Sequence, residues 1–249
     1  MQFAVERAFA LLPTIDSPTD WKRWAQNPAL PAVHEFSQLP KRLPMMVARR
    51  LSLGARLAVE TALELSVNWA PDAVVFSSRH GELERGEKLL ATLAAGQNVS
   101  PTDFMMSVHN AAAGTYSIQA KCPLPVSSVS AGTESFSAAL MEAYAFIAAG
   151  YQRVLVVDFE GPLPPLLGAK FPEPTPSVPY ALGIALESAT SSSKQSAFEL
   201  TLECHHGHAD RATLPQALSF YASLIAAQPS FDLVGSLHTL HGEWHHACE

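Results

Sequence analysis

The chain has 249 residues, 48% of them hydrophobic, which is enough to bury a large core in one or at most two domains. A formal net charge of −7 argues against a nucleic-acid-binding protein, because phosphate neutralisation needs a basic surface. No apolar run reaches about eighteen residues and charges interrupt the N-terminal apolar stretch, so we expect neither a membrane span nor a secretory leader and place the protein in the cytoplasm.

Segments typical of strands and helices alternate along the chain. In chain order they are an amphipathic helical run over 45–69, a strand over 72–78, a charged helix over 82–95, a strand over 125–130, a long helix over 133–150 and a strand over 153–159. After a proline-rich connection there follow a strand over 180–188, a polar turn over 191–196, a strand over 198–204, a helix over 213–228 and a last strand over 231–239. This order predicts an α/β layered fold with a largely buried mixed sheet.

The helix over 133–150 is the best defined of these elements. Its apolar residues follow helical spacing, Thr133 is suited to be its N-cap, and Gly150 is suited to end it. An approximate boundary between two parts of the chain lies near residues 188–196. We therefore divide the chain into a main domain, 1–188, and a C-terminal strand-helix-strand extension of the same unit, 189–249.

The stretch of sequence between Glu35 and Glu60 is basic and contains no acidic residue; we call it the basic window. Its cations are Lys41, Arg42, Arg49, Arg50 and Arg56. The window is either a docking face for an acidic partner or an ordinary solvated helix face, and the sequence leaves both readings open.

The segment from Ser107 to Glu160 contains SVHNAAAG, then PVSSVSAGTESFSAALMEAYAFIAAGYQRVLVVDFE. It resembles the active-site segment of the β-ketoacyl synthases of the thiolase superfamily. The similarity is greatest to the compact β-ketoacyl synthase N-terminal-like proteins of bacterial aryl polyene gene clusters, whose role there looks like that of a chain length factor. The resemblance implies a thiolase-like half-fold, in which a mixed sheet is packed with helices and followed by a shortened C-terminal appendage.

The resemblance also places Thr133 where those enzymes carry their nucleophilic cysteine. Alignment back from Gly150 and forward from Ser100, Pro101 and Asn110 gives the same register. A threonine hydroxyl does not ionise near neutral pH, and no neighbouring base is visible to activate it. The charge of Glu134 would oppose an oxyanion at the same helix end. The family's two later histidines have no counterpart in residues 134–249, so no catalytic residue and no cofactor are expected.

These departures favour a non-catalytic, chain-length-factor-like partner of an active β-ketoacyl synthase. It would form a heterodimer or heterotetramer with that enzyme, shape its acyl tunnel, and meet acyl carrier protein through the complex. Three sets of residues carry the implied roles. The tunnel or gating set is Thr102, Phe104, Met105, Met106, Thr133, Glu134 and Phe136. The partner-interface strand is Val126, Ser127, Ser128, Val129 and Ser130, and the carrier-protein docking set is Arg49, Arg50 and Arg56.

Several alternatives stay open. Phe104, Met105 and Met106 could be ordinary core of this chain, and in either case we expect them to be buried. The protein could instead be a small acyltransferase or malonyl-carrier-protein decarboxylase that uses Glu134 or a nearby serine. It could also be a stand-alone protein that binds acyl groups.

Histidine and cysteine are concentrated at the C-terminal end. Seven of the ten histidines and two of the three cysteines follow Glu203, but their spacing matches no standard zinc pattern, so no metal site is expected. Three widely spaced cysteines in a chain of this size favour free thiols. His80 and His109 stand in motif-like contexts, and we interpret both as structural histidines.

Overall fold

The structure is a computed structural model that describes residues 1–32, 35–121, 123–168, 178–188, 196–204, 214–236 and 238–245. Its strands are β1 (Gln2–Leu11), β2 (Ala73–Ser77), β3 (Val126–Val129), β4 (Arg153–Glu160), β5 (Tyr180–Ser188), β6 (Ser196–Cys204), β7 (Ser230–Val234) and β8 (His238–His245). Its helices are α1 (Pro18–Gln26), α2 (Met45–Ala48), α3 (Leu53–Leu65), α4 (Leu83–Ala94), α5 (Pro101–Met105), α6 (Ala111–Ala120), α7 (Ser135–Ala148), α8 (Pro165–Gly168) and α9 (Gln216–Ile225).

Within these residues, eight strands form one mixed sheet in the order β3-β2-β4-β5-β1-β6-β8-β7. The β2 strand pairs in parallel with both β3 and β4, and all the other pairs are antiparallel. The carboxyl ends of β3, β2 and β4 therefore meet at one edge of the sheet, where the turn that carries Thr133 begins.

Helices cover both faces of the sheet, which explains why β4 reads as an unbroken apolar run. Val154 and Val156 face the core that contains residues of α7 and α9, while Leu155 and Val157 face the core that contains residues of α3 and α6. This alternation follows from the two-residue period of a strand.

The β1 strand, which was not predicted from the sequence, lies inside the sheet between β5 and β6. Charged residues interrupt its alternation, and Arg7 donates from Nη1 to the carbonyl oxygen of Val67 at 2.7 Å instead of facing solvent. The last predicted strand is two strands, β7 and β8, joined at a turn where Gly235 N donates to His238 O.

The predicted helix over 133–150 begins later than expected. Residues Gly132–Glu134 form a 3-10 turn, α7 starts at Ser135, and Glu134 rather than Thr133 occupies the N-cap position. Gly132 has a φ of +61°, a left-handed conformation that glycine adopts without strain, and it reverses the chain between β3 and α7.

The C-terminal strands extend the main sheet from β1 through β6, β8 and β7. Phe220, Phe231 and Trp244 from this region pack in the same core as Phe136 of α7. The predicted polar turn over 191–196 falls almost wholly outside the described residues.

Candidate functional site

Thr133 lies in the 3-10 turn at the carboxyl end of β3, with its side chain exposed. Ser135 braces this turn, since its Oγ accepts from Ala131 N at 3.0 Å and donates to Gly132 O at 2.8 Å. In the part of the chain that the structure describes, no group hydrogen-bonds to the Thr133 hydroxyl, so no base is placed to remove its proton.

The carboxylate of Glu134 is engaged by the β7–β8 turn. Its Oε1 accepts from the backbone N–H of His238 at 2.9 Å and lies 3.9 Å from Nδ1 of the same residue. The fit is close, because a Cβ built on Gly235 would lie 2.3 Å from Oε1 of Glu134. Glu134 therefore joins the start of α7 to the C-terminal strands.

His109 connects β3 to the loop that follows β2. Its Nδ1 lies 2.9 Å from Ser128 Oγ and its Nε2 lies 3.0 Å from the carbonyl oxygen of Ser78. In the neutral ring, Nε2 carries the proton, because a carbonyl oxygen can only accept, and Nδ1 is then an acceptor for the Ser128 hydroxyl, which also lies 3.4 Å from the carbonyl oxygen of His109. Both ring nitrogens are thus used in structural hydrogen bonds.

His80 is half-buried in the loop after β2. Burial, and secondarily the positive charge of Arg79, lower the pKa of its imidazole to about 4. The ring is therefore neutral at pH 7 and adds no charge beside the Thr133 turn.

A buried acidic cluster, which the sequence analysis did not identify, fastens the carboxyl ends of β2 and β4. Asp158 accepts from the hydroxyls of Ser77 and Tyr180. Glu160 accepts from Ser78 Oγ at 3.1 Å and from the backbone N–H groups of residues 79 and 80. Burial is the main cause that raises the pKa of Asp158 to about 7 and that of Glu160 to about 8. In the sequence, the two acids appear as VDFE at the end of an apolar strand, and this pattern could have indicated the cluster.

The tunnel or gating residues fall into two groups. Phe104 and Met105 of α5 are each 64% exposed, Thr102 is exposed and Met106 is half-buried. The expectation that Phe104 and Met105 are buried is therefore wrong for this chain by itself, and they are not part of its core. By contrast, Phe136 is 2% exposed and packs edge-on against Phe220, with ring centroids 5.4 Å apart.

The predicted interface strand, Val126 to Ser130, forms one end of the sheet. On its inner side, Val74 N donates to Pro125 O and Ser78 N donates to Val129 O. Odd-numbered residues thus bond to β2, so the backbone groups of Val126 and Ser128 point away from the sheet.

The three docking arginines differ in exposure. Arg49 and Arg50 are exposed just after α2, whose Met45 and Met46 are 67% and 73% exposed. Arg56 is half-buried in α3; burial raises the pKa of the Glu60 carboxyl, and the charge of Arg56 is one of the smaller effects that oppose this rise.

Among the described residues, no group of three or more histidine, cysteine, aspartate or glutamate side chains could hold a metal ion. His241 pairs with Asp232 at 2.7 Å across β7 and β8. Much of the C-terminal histidine and cysteine cluster, including the side chain of Cys204, falls outside the described residues. None of the helices in the described ranges is long and apolar enough to cross a membrane.

Comparisons with protein families and solved structures identify the family and the fold of this chain. The family model described as "Beta-ketoacyl synthase, N-terminal domain" matches residues 21–245. No curated protein matches the chain. A chain in the complex of the ketosynthase ApeO with its chain length factor ApeC, from Xenorhabdus doucetiae, is 35% identical with a TM-score of 0.88, and the alignment covers 98% of this chain and 99% of that chain.

Two more distant structures show the fold alone. A chain of the ishigamide ketosynthase/chain length factor is 16% identical with a TM-score of 0.65, covering 82% of this chain and 68% of that chain. A β-ketoacyl synthase from Burkholderia phymatum STM815 is 14% identical with a TM-score of 0.60, covering 92% and 71%. The predicted thiolase-like mixed α/β fold is confirmed, and the chain belongs to the family of the β-ketoacyl synthase N-terminal domain.

Proposed function

We propose that this chain is a non-catalytic, chain-length-factor-like subunit that pairs with an active β-ketoacyl synthase in the synthesis of polyene or fatty-acid-like chains in the cytoplasm. The observation that carries the proposal is the Thr133 turn. It keeps the strand-to-helix setting of a nucleophile, yet it presents an exposed hydroxyl to which no described group hydrogen-bonds. Bond formation is then left to another subunit.

The lengths of the similar chains support this assignment. The alignment with the chain from the Xenorhabdus doucetiae complex covers nearly all of both chains, so the two have similar lengths. The Burkholderia phymatum β-ketoacyl synthase is longer, because only 71% of it is covered. A chain that matches one chain of a ketosynthase and chain length factor complex over nearly its whole length, and that is shorter than the Burkholderia phymatum enzyme, has the size that we expect of the accessory subunit.

The free edge of β3 supports the proposed mode of assembly. Edge strands present unpaired N–H and C=O groups, and the outward groups of Val126 and Ser128 could continue the sheet into a partner. A ketosynthase strand is the proposed occupant, because the family resemblance implies pairing of this strand across the subunit interface.

The exposed side chains of α5 suit the proposed tunnel role. Adjacent exposed apolar side chains can form a contact surface for another protein, and Phe104 and Met105 are exposed next to each other on α5, close to the exposed Thr102. We propose that they enter the partner's acyl tunnel and limit the length of the growing chain. Phe136 lies in the core, and Thr133 and Glu134 lie in the turn before α7, so we assign none of these three residues to the protruding part of the surface.

The basic window supports docking of an acidic carrier protein through its exposed part. Arg49 and Arg50 are accessible, whereas Arg56 is half-buried and interacts with Glu60. We therefore assign docking to Arg49 and Arg50, and to Arg56 only a supporting charge.

Two variants of one residue test the assembly. Ser128→Pro and Ser128→Ala both remove the hydroxyl that bonds His109, but only proline also removes the outward backbone N–H. Co-purification with the neighbouring ketosynthase should be lost for Ser128→Pro and kept for Ser128→Ala. If the wild-type chain leaves the assembly and product length of that ketosynthase unchanged, the proposed function is wrong.

A further inference from the structure

A long segment of the chain contains no buried residue. From Leu83 to Asn110 every described residue is exposed or half-buried, and neither α4 nor α5 contains a buried residue. The segment leaves the core after the buried Glu82 and returns to it at the buried Ala111. Hydrophobic burial therefore contributes little to the position of α5.

Helix α5 is also too short to be stable by itself. It has five residues, begins with Pro101 and is capped by Ser100, whose Oγ accepts from Asp103 N at 3.4 Å. An isolated helix of this length is not stable in water. Its position must therefore be set by the polar groups that join it to the rest of the chain.

Two cations of α4, Arg85 and Lys88, link α5 to the rest of the chain through Asp103, and Arg85 also contacts residues outside both helices. Arg85 Nη1 donates to Asp103 Oδ1 at 2.8 Å, and Arg85 Nη2 donates to the carbonyl oxygen of Arg50 at 2.7 Å. Its Nε lies 3.6 Å from the carboxylate of Glu82, which also accepts from Ser52 Oγ at 2.9 Å. The guanidinium thus ties α5 to the start of α4 and to the residues on either side of the turn between α2 and α3.

The burial of these groups distinguishes Arg85 from the other cation at Asp103. Lys88 Nζ donates to Asp103 Oδ2 at 3.1 Å, but the Lys88 side chain is 66% exposed. The side chains of Arg85 and Glu82 are 13% and 2% exposed. Ion pairs in water contribute little, whereas a partly buried, forked guanidinium that holds three partners fixes geometry.

We propose that Arg85 is a positioning residue that sets where α5 holds Phe104 and Met105, and through them the length of chain that the complex releases. The first half of this inference concerns this chain alone. The second half rests on the proposed function, because it requires that Phe104 and Met105 act in a partner's tunnel.

The experiment compares Arg85→Ala with Lys88→Ala in the full-length chain, since each removes one of the two cations at Asp103. Millisecond hydrogen exchange of the amides of residues 101–107 reports the order of α5. Loss of the buried link should speed this exchange about tenfold for Arg85→Ala, while Lys88→Ala changes it by less than about threefold. If Arg85→Ala folds poorly, Asp103→Asn takes its place as the test variant. It keeps the size of the side chain, changes nothing outside α5, and should speed the exchange of residues 101–107 by a similar factor.

The same variants are then assayed in complex with the active ketosynthase. Arg85→Ala should broaden the distribution of product lengths at unchanged complex yield, Lys88→Ala should not, and Arg85→Lys should give an intermediate distribution because it restores one link of three. If the amides of residues 101–107 exchange at the same rate in Arg85→Ala, Asp103→Asn and wild type, the inference is wrong. This result does not depend on whether the proposed function is correct. Faster exchange with an unchanged product distribution would overturn its second half. A wild-type chain that does not influence product length would overturn the proposed function and leave the exchange result to decide the first half.

Discussion

Gly54 of α3 faces Gly161 so closely that a Cβ built on Gly54 would lie 2.7 Å from the Gly161 backbone nitrogen. The contact holds the first turn of α3 against the residue that follows β4, next to the buried acid Glu160. Because both groups in contact are backbone, no side-chain rotation can relieve an added methyl group.

A pair of glycine substitutions measures the cost of that contact. Gly54→Ala should lower the free energy of unfolding by about 1–3 kcal/mol, since the backbone has to shift. Gly86→Ala in α4 has open space around the new Cβ and should raise it by up to about 1 kcal/mol, because alanine favours helix more than glycine does. Urea denaturation gives the free energy of unfolding of both variants. Equal values for Gly54→Ala and Gly86→Ala would contradict the close contact between Gly54 and Gly161.

Two phenylalanines that were assigned the same role should respond oppositely to truncation. Phe136→Ala should cost about 3–5 kcal/mol of stability, because it opens a cavity beside Phe220. Phe104→Ala should change stability by less than about 0.5 kcal/mol, because that side chain is largely exposed. In the complex, by contrast, Phe104→Ala should shift product length. Thermal unfolding and product analysis separate the two effects, and a destabilised Phe104→Ala variant would place Phe104 in the core after all.

The acidic cluster predicts that stability falls as pH rises. Asp158 and Glu160 have folded-state pKa values raised to about 7 and about 8, chiefly by burial, so the folded protein holds protons that the unfolded chain has released. Their stabilising contribution is complete below about pH 4 and is lost as pH rises through the folded-state pKa values. The free energy of unfolding should therefore decrease from about pH 5 to about pH 9.

Asp158→Asn tests the origin of this pH dependence. It removes one buried titrating group and also the negative charge that helps to raise the pKa of Glu160, so the slope should become shallower. Glu84→Gln removes a charge at an exposed position in α4 and should keep the wild-type slope. A wild-type slope in Asp158→Asn would show that other groups govern the pH dependence.

The proposal that no chemistry takes place at Thr133 is tested in the complex with the ketosynthase. Thr133→Ala and Glu134→Gln should each change the rate of chain extension by less than about tenfold, which corresponds to ~1.4 kcal/mol of barrier. Thr133→Cys should not create a second condensing site, because no described group hydrogen-bonds to the side chain at this position. Loss of carrier-protein decarboxylation in Glu134→Gln without any partner would instead favour the acyltransferase or decarboxylase alternative.

The parts of the fold that could be predicted are those with strong periodicity. The β2, β3, β4 and β5 strands and α7 were found within a few residues, because their apolar runs and flanking glycines are local signals. By contrast, β1 was missed, since a central strand with Arg7 and Glu6 in its middle lacks the expected alternation. Pairing with β5 and β6, which are distant in the sequence, determines its place.

Some features of the candidate site could likewise be predicted from the sequence, and others could not. The Thr133 turn is exposed and β3 is an edge strand, while the roles predicted for both remain predictions; the burial expected for Phe104 and Met105 is wrong for this chain by itself. Apolar character alone does not say whether a side chain faces its own core or another protein. The links made by Arg85 were invisible in the sequence, because Asp103 and Arg50 are joined to it only by the fold.

The outer margin of β3 also has a consequence for synthesis inside the cell. Without the proposed companion, the chain exposes the outer edge of β3, to which no described strand pairs, together with the apolar side chains of Phe104 and Met105. Such surfaces promote self-association and degradation of orphaned polypeptides. We expect the cell to produce this protein in matched amounts with its companion, and excess copies to be cleared or to precipitate.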